Sequence, residues 1–171
     1  SKRAGEIVTL REVVEEAGSD ATRFFFLATS PNSAPDFDLE LAQTQSDENP
    51  VYSVQYAHSR IASVLEKAAA EGLSAEGADK SLLQHEAEQT LLRKLILLPE
   101  VMQQVAETLE PQPLPHYSTE LAAAFHVFYT QCRVIDADDE ALSRARLLLM
   151  EATHVVLARA LGLMGLSAPD Q

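Results

Sequence analysis

One predicted helix carries most of the information in this sequence, and it opens with Glu48-Asn49-Pro50-Val51-Tyr52-Ser53-Val54-Gln55-Tyr56-Ala57-His58-Ser59-Arg60. At about 100° per residue, the apolar positions of this helix fall on one side. They are Val54, Ala57, Ile61, Val64, Leu65 and Ala68. On the other side, Tyr52, Tyr56 and Arg60 recur every four residues, and we call them the tyrosine–arginine row. Two phenols and a guanidinium outside the buried stripe can stack on flat ligands and bind phosphate, which is the chemistry needed to hold unpaired nucleotides.

Shorter helices are predicted before this one. Thr9 and Glu12 have the spacing of a capping box, and Gly18 is placed to end the helix that they begin. The next helix follows directly, and either Ser19 or Asp20 can cap its first turn. These elements predict a small helical lead-in to the main helix.

Three further long helices are predicted in the second half of the chain. Pro99 should kink or split the first of them, residues 111–115 should end it, and Ser118 should begin the next. The apolar series of the first is Leu91, Leu95, Leu98, Met102, Val105 and Leu109. Asp138 and Asp139 are placed to cap the last helix. Its predicted core face is Leu142, Ala145, Leu149, Ala152, Val156, Ala160 and Leu163.

These patterns together predict an all-α fold. A bundle of about four long helices should occupy residues 50–171, and residues 1–49 should form the helical lead-in. With 171 residues, of which 46% are hydrophobic, the chain can bury a sizeable core as one domain or one domain plus a lead-in.

Composition also bears on where the protein works. The sequence contains no apolar stretch of about 18 residues, so we expect no membrane span. Its N-terminus lacks the apolar core of a signal peptide. The single cysteine, Cys132, cannot form an internal disulfide, which fits a reducing compartment. We therefore predict a cytoplasmic protein.

Charge argues against nucleic acid as a partner. Thirteen basic and 26 acidic residues give a formal net charge of −13, whereas nucleic-acid-binding proteins usually carry a basic surface. Affinity depends on the local potential, however, and the acidic clusters lie outside the tyrosine–arginine row. They are at residues 12–16, 36–40 and 136–140. Two hypotheses remain: an RNA-binding patch of modest affinity, or an acidic helical module that binds a basic protein.

Each candidate binding residue also has a plain structural interpretation. The two tyrosines of the row can pack on a neighbouring helix while Arg60 pairs with a local acid. Gln55 can read a base edge, whereas His58 lies towards the apolar side and is better explained as a buried structural histidine. On the helix after Ser118, the residues His126, Tyr129 and Arg133 form a second row, which either closes a cleft with the first or makes inter-helix hydrogen bonds.

Metal binding and nucleophilic catalysis are not predicted. The histidines are scattered along the chain, and none is at ligand spacing with Cys132. They are His58, His85, His116, His126 and His154. Cys132 lies on an apolar helix face, where a thiol is normally inert. The acidic clusters are better explained as solvated faces and helix caps.

Four blocks of the sequence resemble the arginyl-tRNA synthetases, which are class I enzymes. Residues 48–60 resemble the opening of their anticodon-binding domain, residues 124–134 its middle helix, and residues 161–169 its closing segment. Ser1-Lys2-Arg3-Ala4-Gly5 is similar to the end of the class I signature loop, Lys-Met-Ser-Lys, without its first two residues. The resemblance covers essentially the whole chain. It implies a helical anticodon-binding domain cut just inside that loop, with a missing N-terminal catalytic domain as its neighbour.

The resemblance implies tRNA for arginine as the partner and excludes DNA. The counterparts of Tyr56 and Arg60 contact the anticodon loop in this family, and Tyr52 is supported less strongly. Ser53 stands where many relatives carry a second tyrosine. The expected tRNA-binding residues are Tyr52, Gln55, Tyr56, Arg60, Tyr129 and Arg133. A related class I enzyme, such as a cysteinyl-tRNA synthetase, is a weaker alternative.

Catalysis is expected only from an intact enzyme of this kind. There, ATP with Mg²⁺ forms an arginyl-adenylate, and the residue that matches Lys2 stabilises charge developing on the phosphates. The chain itself should need no cofactor and should show no arginine-dependent pyrophosphate exchange. Residues 20–23, Asp-Ala-Thr-Arg, also resemble a class I helix motif, but capping and a surface ion pair are the preferred roles for Asp20 and Arg23.

Overall fold

A computed structural model describes residues 2–3, 6–7, 9–30, 37–46 and 48–170, with side chains from residue 9 onward. Its helices are α1 (Leu10–Ala17), α2 (Ser19–Ala28), α3 (Leu39–Gln43), α4 (Pro50–Ala70), α5 (Glu86–Leu95), α6 (Leu98–Thr108), α7 (Pro113–Gln131) and α8 (Glu140–Leu163). A short 3₁₀ helix, Lys80–Leu82, precedes α5. The strands β1 (Lys2–Arg3) and β2 (Glu6–Ile7) pair antiparallel, with Lys2 opposite Ile7.

The predicted all-α fold is confirmed, since the strands are only two residues long. Helices α4, α7 and α8 pack against one another, α5 packs on α7 and α8, and α6 packs on α7. Helix α2 contacts both α4 and α7, and its Phe24 is buried in the same core as the bundle residues. The division of the chain at residue 50 stays a prediction. None of the described helices is long and apolar enough to cross a bilayer.

Several helix boundaries follow the sequence signals. Thr9 and Glu12 form the predicted capping box, and Gly18, at φ 83°, ends α1. Helix α4 begins with Pro50 in its first turn, where a missing N–H costs nothing. Asn49 caps this helix by accepting from the Val51 N–H, and its own amide donates to the carbonyls of residues 42 and 44. Asn49 therefore fixes the start of α4 against the end of α3.

Helix α7 corrects one predicted boundary. It begins at Pro113, and Ser118 lies inside it with its hydroxyl donating to the Leu114 carbonyl. Prolines were expected to end a helix here, but Pro113 and Pro115 both fall in the first turn of α7, whose N–H groups have no intrahelical acceptor. The predicted break at Pro99 is confirmed, because α5 ends at Leu95 and α6 begins at Leu98.

Two predicted core faces are only partly right. Leu109 is 83% exposed in a left-handed conformation that ends α6. On α8, Ala152 and Leu163 are exposed, whereas other residues of the helix are buried instead. These are Leu147, Met150, Thr153, Leu157 and Leu161. Helix α8 packs against α4, α5 and α7, so its buried surface is wider than one stripe.

Residues 164–170, the C-terminal segment, return from α8 to helices α2 and α4. The Arg23 guanidinium donates to the Gly165 carbonyl at 2.6 Å. Asp20 accepts from the Ser167 N–H at 3.0 Å and also from the Ser167 hydroxyl. The predicted roles of Asp20 and Arg23 are therefore wrong. Gly18, not Asp20, occupies the N-cap position of α2. The side chains of Asp20 and Arg23 instead bind the C-terminal segment, which is remote in sequence.

The same contacts affect the acidity of Asp20. Burial alone would raise the pKa of Asp20, but the hydrogen bonds from Ser167 and Gln55, together with the nearby charge of Arg23, outweigh it and lower the pKa. A lowered pKa means that the folded protein favours the carboxylate form. The attachment of the C-terminal segment is thus strongest above the ordinary aspartate pKa and weakens as the pH falls through the lowered value.

Substituting Gly165 with alanine should destabilise the protein. Gly165 adopts φ +69°, and a Cβ at this position would collide with the Arg23 guanidinium. The left-handed conformation alone costs a non-glycine residue about 1–2 kcal/mol. Urea denaturation followed by circular dichroism should show at least this loss. Gly162→Ala is the matched control: a Cβ on Gly162 meets nothing within 4 Å, so this variant should be as stable as the parent or slightly more stable. Equal effects of the two substitutions would contradict both the left-handed conformation of Gly165 and the close approach of Arg23 to it.

Candidate nucleic-acid interface

Helix α4 presents the tyrosine–arginine row at the surface. Val54, Ala57 and Ile61 have no exposed surface, which confirms the predicted apolar side. On the opposite side, Tyr56 is 36% exposed, and Tyr52 and Arg60 are partly exposed. The helix therefore anchors the row through its buried stripe and leaves the rings and the guanidinium accessible.

The side chains of the row stack on one another. The rings of Tyr52 and Tyr56 lie 6.0 Å apart between centroids with an interplanar angle of 15°. The Arg60 guanidinium lies over the Tyr56 ring at 5.3 Å and donates a hydrogen bond of 2.5 Å to the Tyr56 hydroxyl. This arrangement holds a flat cation and two flat rings in a fixed order along the helix.

Helix α7 completes the surface from the other side. The His126 ring stacks on Tyr56 at 6.0 Å, and its Nε2 lies 3.4 Å from the Ser53 hydroxyl. The Arg60 guanidinium lies 5.9 Å from the centre of the Tyr129 ring, so it sits between two tyrosines of different helices. The predicted inter-helix contacts are thus present for His126 and Tyr129, and they bring these two residues against the first row.

Arg60 has no carboxylate partner among the residues that the structure describes. The hydrogen bond to Tyr56 is the main reason that the pKa of Arg60 is raised; burial opposes it, and the hydroxyls of Tyr56 and Tyr129 add to it. Among the described residues, the ion pairs involve other arginines and lysines. The predicted alternative of an Arg60 paired with a local acid is wrong. A cation that is not neutralised by the protein is available to an anionic ligand.

Arg133 lies two residues after α7, which ends at Gln131, so the prediction that it continues a helical row with His126 and Tyr129 is wrong. It is exposed, and its guanidinium lies 3.6 Å from the Asp136 carboxylate. A groove of about 520 Å³ runs beside it, lined in part by Val64, Lys67 and Tyr129. Lys67 also lies on α4, two turns beyond Arg60. The surface therefore continues from the stacked rings to a groove edged by Lys67 and Arg133, and each of these cations has a carboxylate nearby, since Lys67 Nζ lies 3.9 Å from Glu71, which also lines the groove.

The thiol of Cys132 borders this groove but is buried. Burial raises the pKa of Cys132, the neighbouring Arg146 lowers it, and Glu88 adds to the rise. A buried thiol with a raised pKa is a poor nucleophile at neutral pH. The prediction that Cys132 lies in the core is confirmed.

Gln55 is engaged inside the protein. Its amide nitrogen donates to Asp20 at 2.8 Å and to the carbonyl and hydroxyl oxygens of Ser167 at 3.0 and 3.1 Å. These contacts join α4, α2 and the C-terminal segment. The predicted contact of Gln55 with a base edge stays a prediction, and it would have to use the carbonyl end of the side chain or require these bonds to open.

His58 is buried, as predicted, but it has neighbours that the sequence did not indicate. Its ring stacks on His154 with centroids 3.9 Å apart, and its Nδ1 lies 2.8 Å from the Pro169 carbonyl. Asp170 also approaches both histidines. The prediction that the histidines are scattered is wrong for this pair, because the fold brings together residues from α4 and α8. No local spacing signals such a contact.

Lys2 lies in β1, and its side chain falls outside the described part of the chain. The role suggested by its likeness to the signature-loop lysine therefore stays a prediction. The same holds for Ser1, Ala4 and Gly5, which complete that block.

Residues 54–171 match the family described as the DALR anticodon binding domain. The chain is 56% identical over 170 residues to the arginine–tRNA ligase of Dehalococcoides mccartyi (strain CBDB1), a match that covers 99% of this chain and 30% of the relative. It is 48% identical over 174 residues to the arginine–tRNA ligase of Symbiobacterium thermophilum, covering 100% and 31% of the two chains. The chain thus spans about a third of the length of these relatives.

The fold of this chain is also similar to part of a solved structure. The Thermus thermophilus arginyl-tRNA synthetase superimposes with a TM-score of 0.77 and 29% sequence identity. The match covers 96% of this chain and 28% of that structure. The helical arrangement described above is therefore similar to one part of a much larger enzyme.

Proposed function

Because this chain belongs to the DALR anticodon-binding domain family, we propose that it is the anticodon-recognition part of an arginine–tRNA ligase. The whole ligase would attach arginine to its tRNA at the expense of ATP. Its catalytic domain and the tRNA for arginine are the proposed partners, and the predicted cytoplasmic location belongs to the same proposal. Most of the relatives' length lies outside the matched part, so the proposed chemistry is assigned to the whole ligase.

The observation that carries this proposal is Arg60, which lies between Tyr56 and Tyr129 with no carboxylate partner in the described part of the chain. A guanidinium has five N–H donors, and one of them is used by the Tyr56 hydroxyl. The others can bind a phosphate or the edge of a base. Unpaired bases of the anticodon loop would stack on the exposed parts of Tyr52, Tyr56 and Tyr129, because every base offers a flat face.

The strong negative charge of the chain shapes how such binding should behave. The net charge of −13 repels RNA over most of the surface. Attraction is confined to the surface that carries Arg60, Lys67 and Arg133. We therefore expect a small, specific contact, with affinity that is modest in the isolated chain and raised when the catalytic domain binds the rest of the tRNA.

Gln55 fits this proposal as a positioning residue. Its bonds to Asp20 and Ser167 hold α4 against α2 and the C-terminal segment, which sets the orientation of the row. ATP and Mg²⁺ belong to the whole ligase, and Lys2 is proposed to act on ATP only there.

Binding to the anticodon stem–loop of arginine tRNA tests the proposal. Filter binding at 50 and 200 mM salt should show affinity that falls about 20-fold, because three phosphate contacts to a single strand give a slope of about −2 in log K against log salt. A stem–loop whose loop bases are paired into a duplex is the control, and it should bind much more weakly. Salt-independent binding, or equal binding of both RNAs, would instead favour the acidic protein-interaction module.

A further inference from the structure

Three ligating side chains meet on the side of α4 that faces α8. His58 comes from α4, His154 from α8 and Asp170 from the C-terminal segment. One ring nitrogen of each histidine and one Asp170 oxygen all lie within 4.8 Å of one another. His154 Nε2 is already 3.4 Å from Asp170 Oδ1. This cluster, which we call the histidine cluster, plays no part in the proposed RNA contact.

One nitrogen of the histidine cluster lacks a hydrogen-bond partner. His58 Nε2 is buried and has no partner among the described residues, whereas the buried His154 Nε2 has only Asp170 Oδ1 near it, at 3.4 Å. His58 as a whole is only 2% exposed, and its other nitrogen, Nδ1, is bonded to the Pro169 carbonyl. Buried polar atoms without partners are rare because desolvation costs them free energy. A ligand that accepts their lone pairs would remove this cost.

We propose that His58, His154 and Asp170 form a binding site for a divalent transition-metal ion, with Zn²⁺ as the best match. Two imidazoles and one carboxylate are donors that Zn²⁺ prefers, and water can supply the fourth. In metal sites, a histidine that binds through one nitrogen commonly donates from the other to a backbone carbonyl, as His58 Nδ1 can do to Pro169.

Coordination requires the imidazoles to turn, because the two rings stack 22° from parallel and a ligating lone pair lies in the ring plane. His58 must also turn its Nε2 towards the ion, since its Nδ1 is the nitrogen that lies 3.9 Å from Asp170. Zn–N and Zn–O bonds of about 2.0–2.2 Å place tetrahedral ligand atoms roughly 3.3 Å apart. The His154–Asp170 distance of 3.4 Å already matches this value. Asp170 is 73% exposed, so its side chain is free to adjust to the ion. A bound ion would join α4, α8 and the C-terminal segment in one cross-link.

Isothermal titration calorimetry of the whole 171-residue chain with ZnCl₂ tests this site directly. We expect one Zn²⁺ per chain and a higher melting temperature with Zn²⁺, since a ligand that binds only the folded state stabilises it. Mg²⁺, which prefers oxygen ligands, should have neither effect. His154→Ala and Asp170→Asn should each weaken Zn²⁺ binding at least tenfold. Both side chains are accessible enough for the variants to fold, which circular dichroism would verify.

His116→Ala is the matched control, because His116 is an exposed histidine on α7 outside the cluster. It should bind Zn²⁺ like the parent. Absence of Zn²⁺ binding by the parent, or equal binding by the His154 and His116 variants, would overturn the proposal. Neither result bears on RNA binding, so the two proposals fail independently.

Discussion

Replacing Arg146 with methionine should lower the free energy of unfolding by about 3–5 kcal/mol, because it leaves a buried carboxylate without its partner. Glu88 is only 1% exposed, and its Oε1 accepts from Arg146 Nε at 2.7 Å. Its Oε2 accepts from the His85 N–H at 2.8 Å, so the carboxylate also closes a capping box at the start of α5. Urea denaturation of the parent and the variant measures the difference.

Two companion variants test the reason for this loss. The double variant Glu88→Gln, Arg146→Met has no buried charge at this site. The side-chain amide oxygen introduced at position 88 can still accept from the His85 N–H, so much of the stability lost in Arg146→Met should return. Arg144→Met breaks a pair with Glu140 that is largely solvent-exposed and should cost at most about 1 kcal/mol. If Arg146→Met is no more harmful than Arg144→Met, the buried pair is not a major source of stability.

The Arg146 variant should also affect the candidate interface. Arg146 Nη1 donates to the Arg133 carbonyl at 2.8 Å, just after the end of α7. The buried pair thus links α5 and α8 to the turn that carries Arg133. Loosening it should weaken RNA binding even at temperatures where the variant remains folded.

Arg60→Ala and Tyr56→Ala should each weaken binding of the arginine anticodon stem–loop by about 5- to 150-fold. This range corresponds to the 1–3 kcal/mol that stacking contributes per base. Removing Arg60 also takes away the cation that lies between Tyr56 and Tyr129, so the two rings lose their common contact. Filter binding at low salt measures the affinities, and circular dichroism checks that the variants fold.

Two controls separate the contributions of ring and charge. Tyr56→Phe keeps the stacking ring but removes the hydroxyl that holds Arg60, so its loss should be smaller than that of Tyr56→Ala. Arg93→Ala removes an equal charge from an exposed position on α5 and should leave affinity nearly unchanged. If Arg60→Ala and Arg93→Ala behave alike, then Arg60 acts only through net charge and the proposed contact is wrong.

Helix α4 was predictable because its pattern is local. Its apolar positions recur at helical spacing, and Pro50 marks its first turn, so the buried and exposed sides follow from the order of residues alone. The start of α7 was not predicted, since the same prolines that end one helix can begin another. The burial of Leu147 and Leu157 on α8 was missed for a different reason: a helix surrounded by three others buries more than one stripe.

The candidate site was predictable only in part. Spacing placed Tyr52, Tyr56 and Arg60 in one row, but the partner of Arg60 on α7 depends on tertiary packing. Charge alone would have directed attention to a basic protein as partner, and the resemblance to a known family was needed to favour RNA. The contact of Gln55 with Ser167 and that of His58 with His154 join residues that are about a hundred positions apart, which no local pattern records.

The link between Arg23 and Gly165 has a consequence for the order of folding. The two residues are 142 positions apart, so their contact closes a very long loop and carries a high entropic cost until the bundle has formed. Such a contact should be absent from the transition state. Loss of the contact would then leave the refolding rate nearly unchanged and accelerate unfolding. The contact between α2 and the C-terminal segment therefore contributes kinetic stability: it slows unfolding of the native domain.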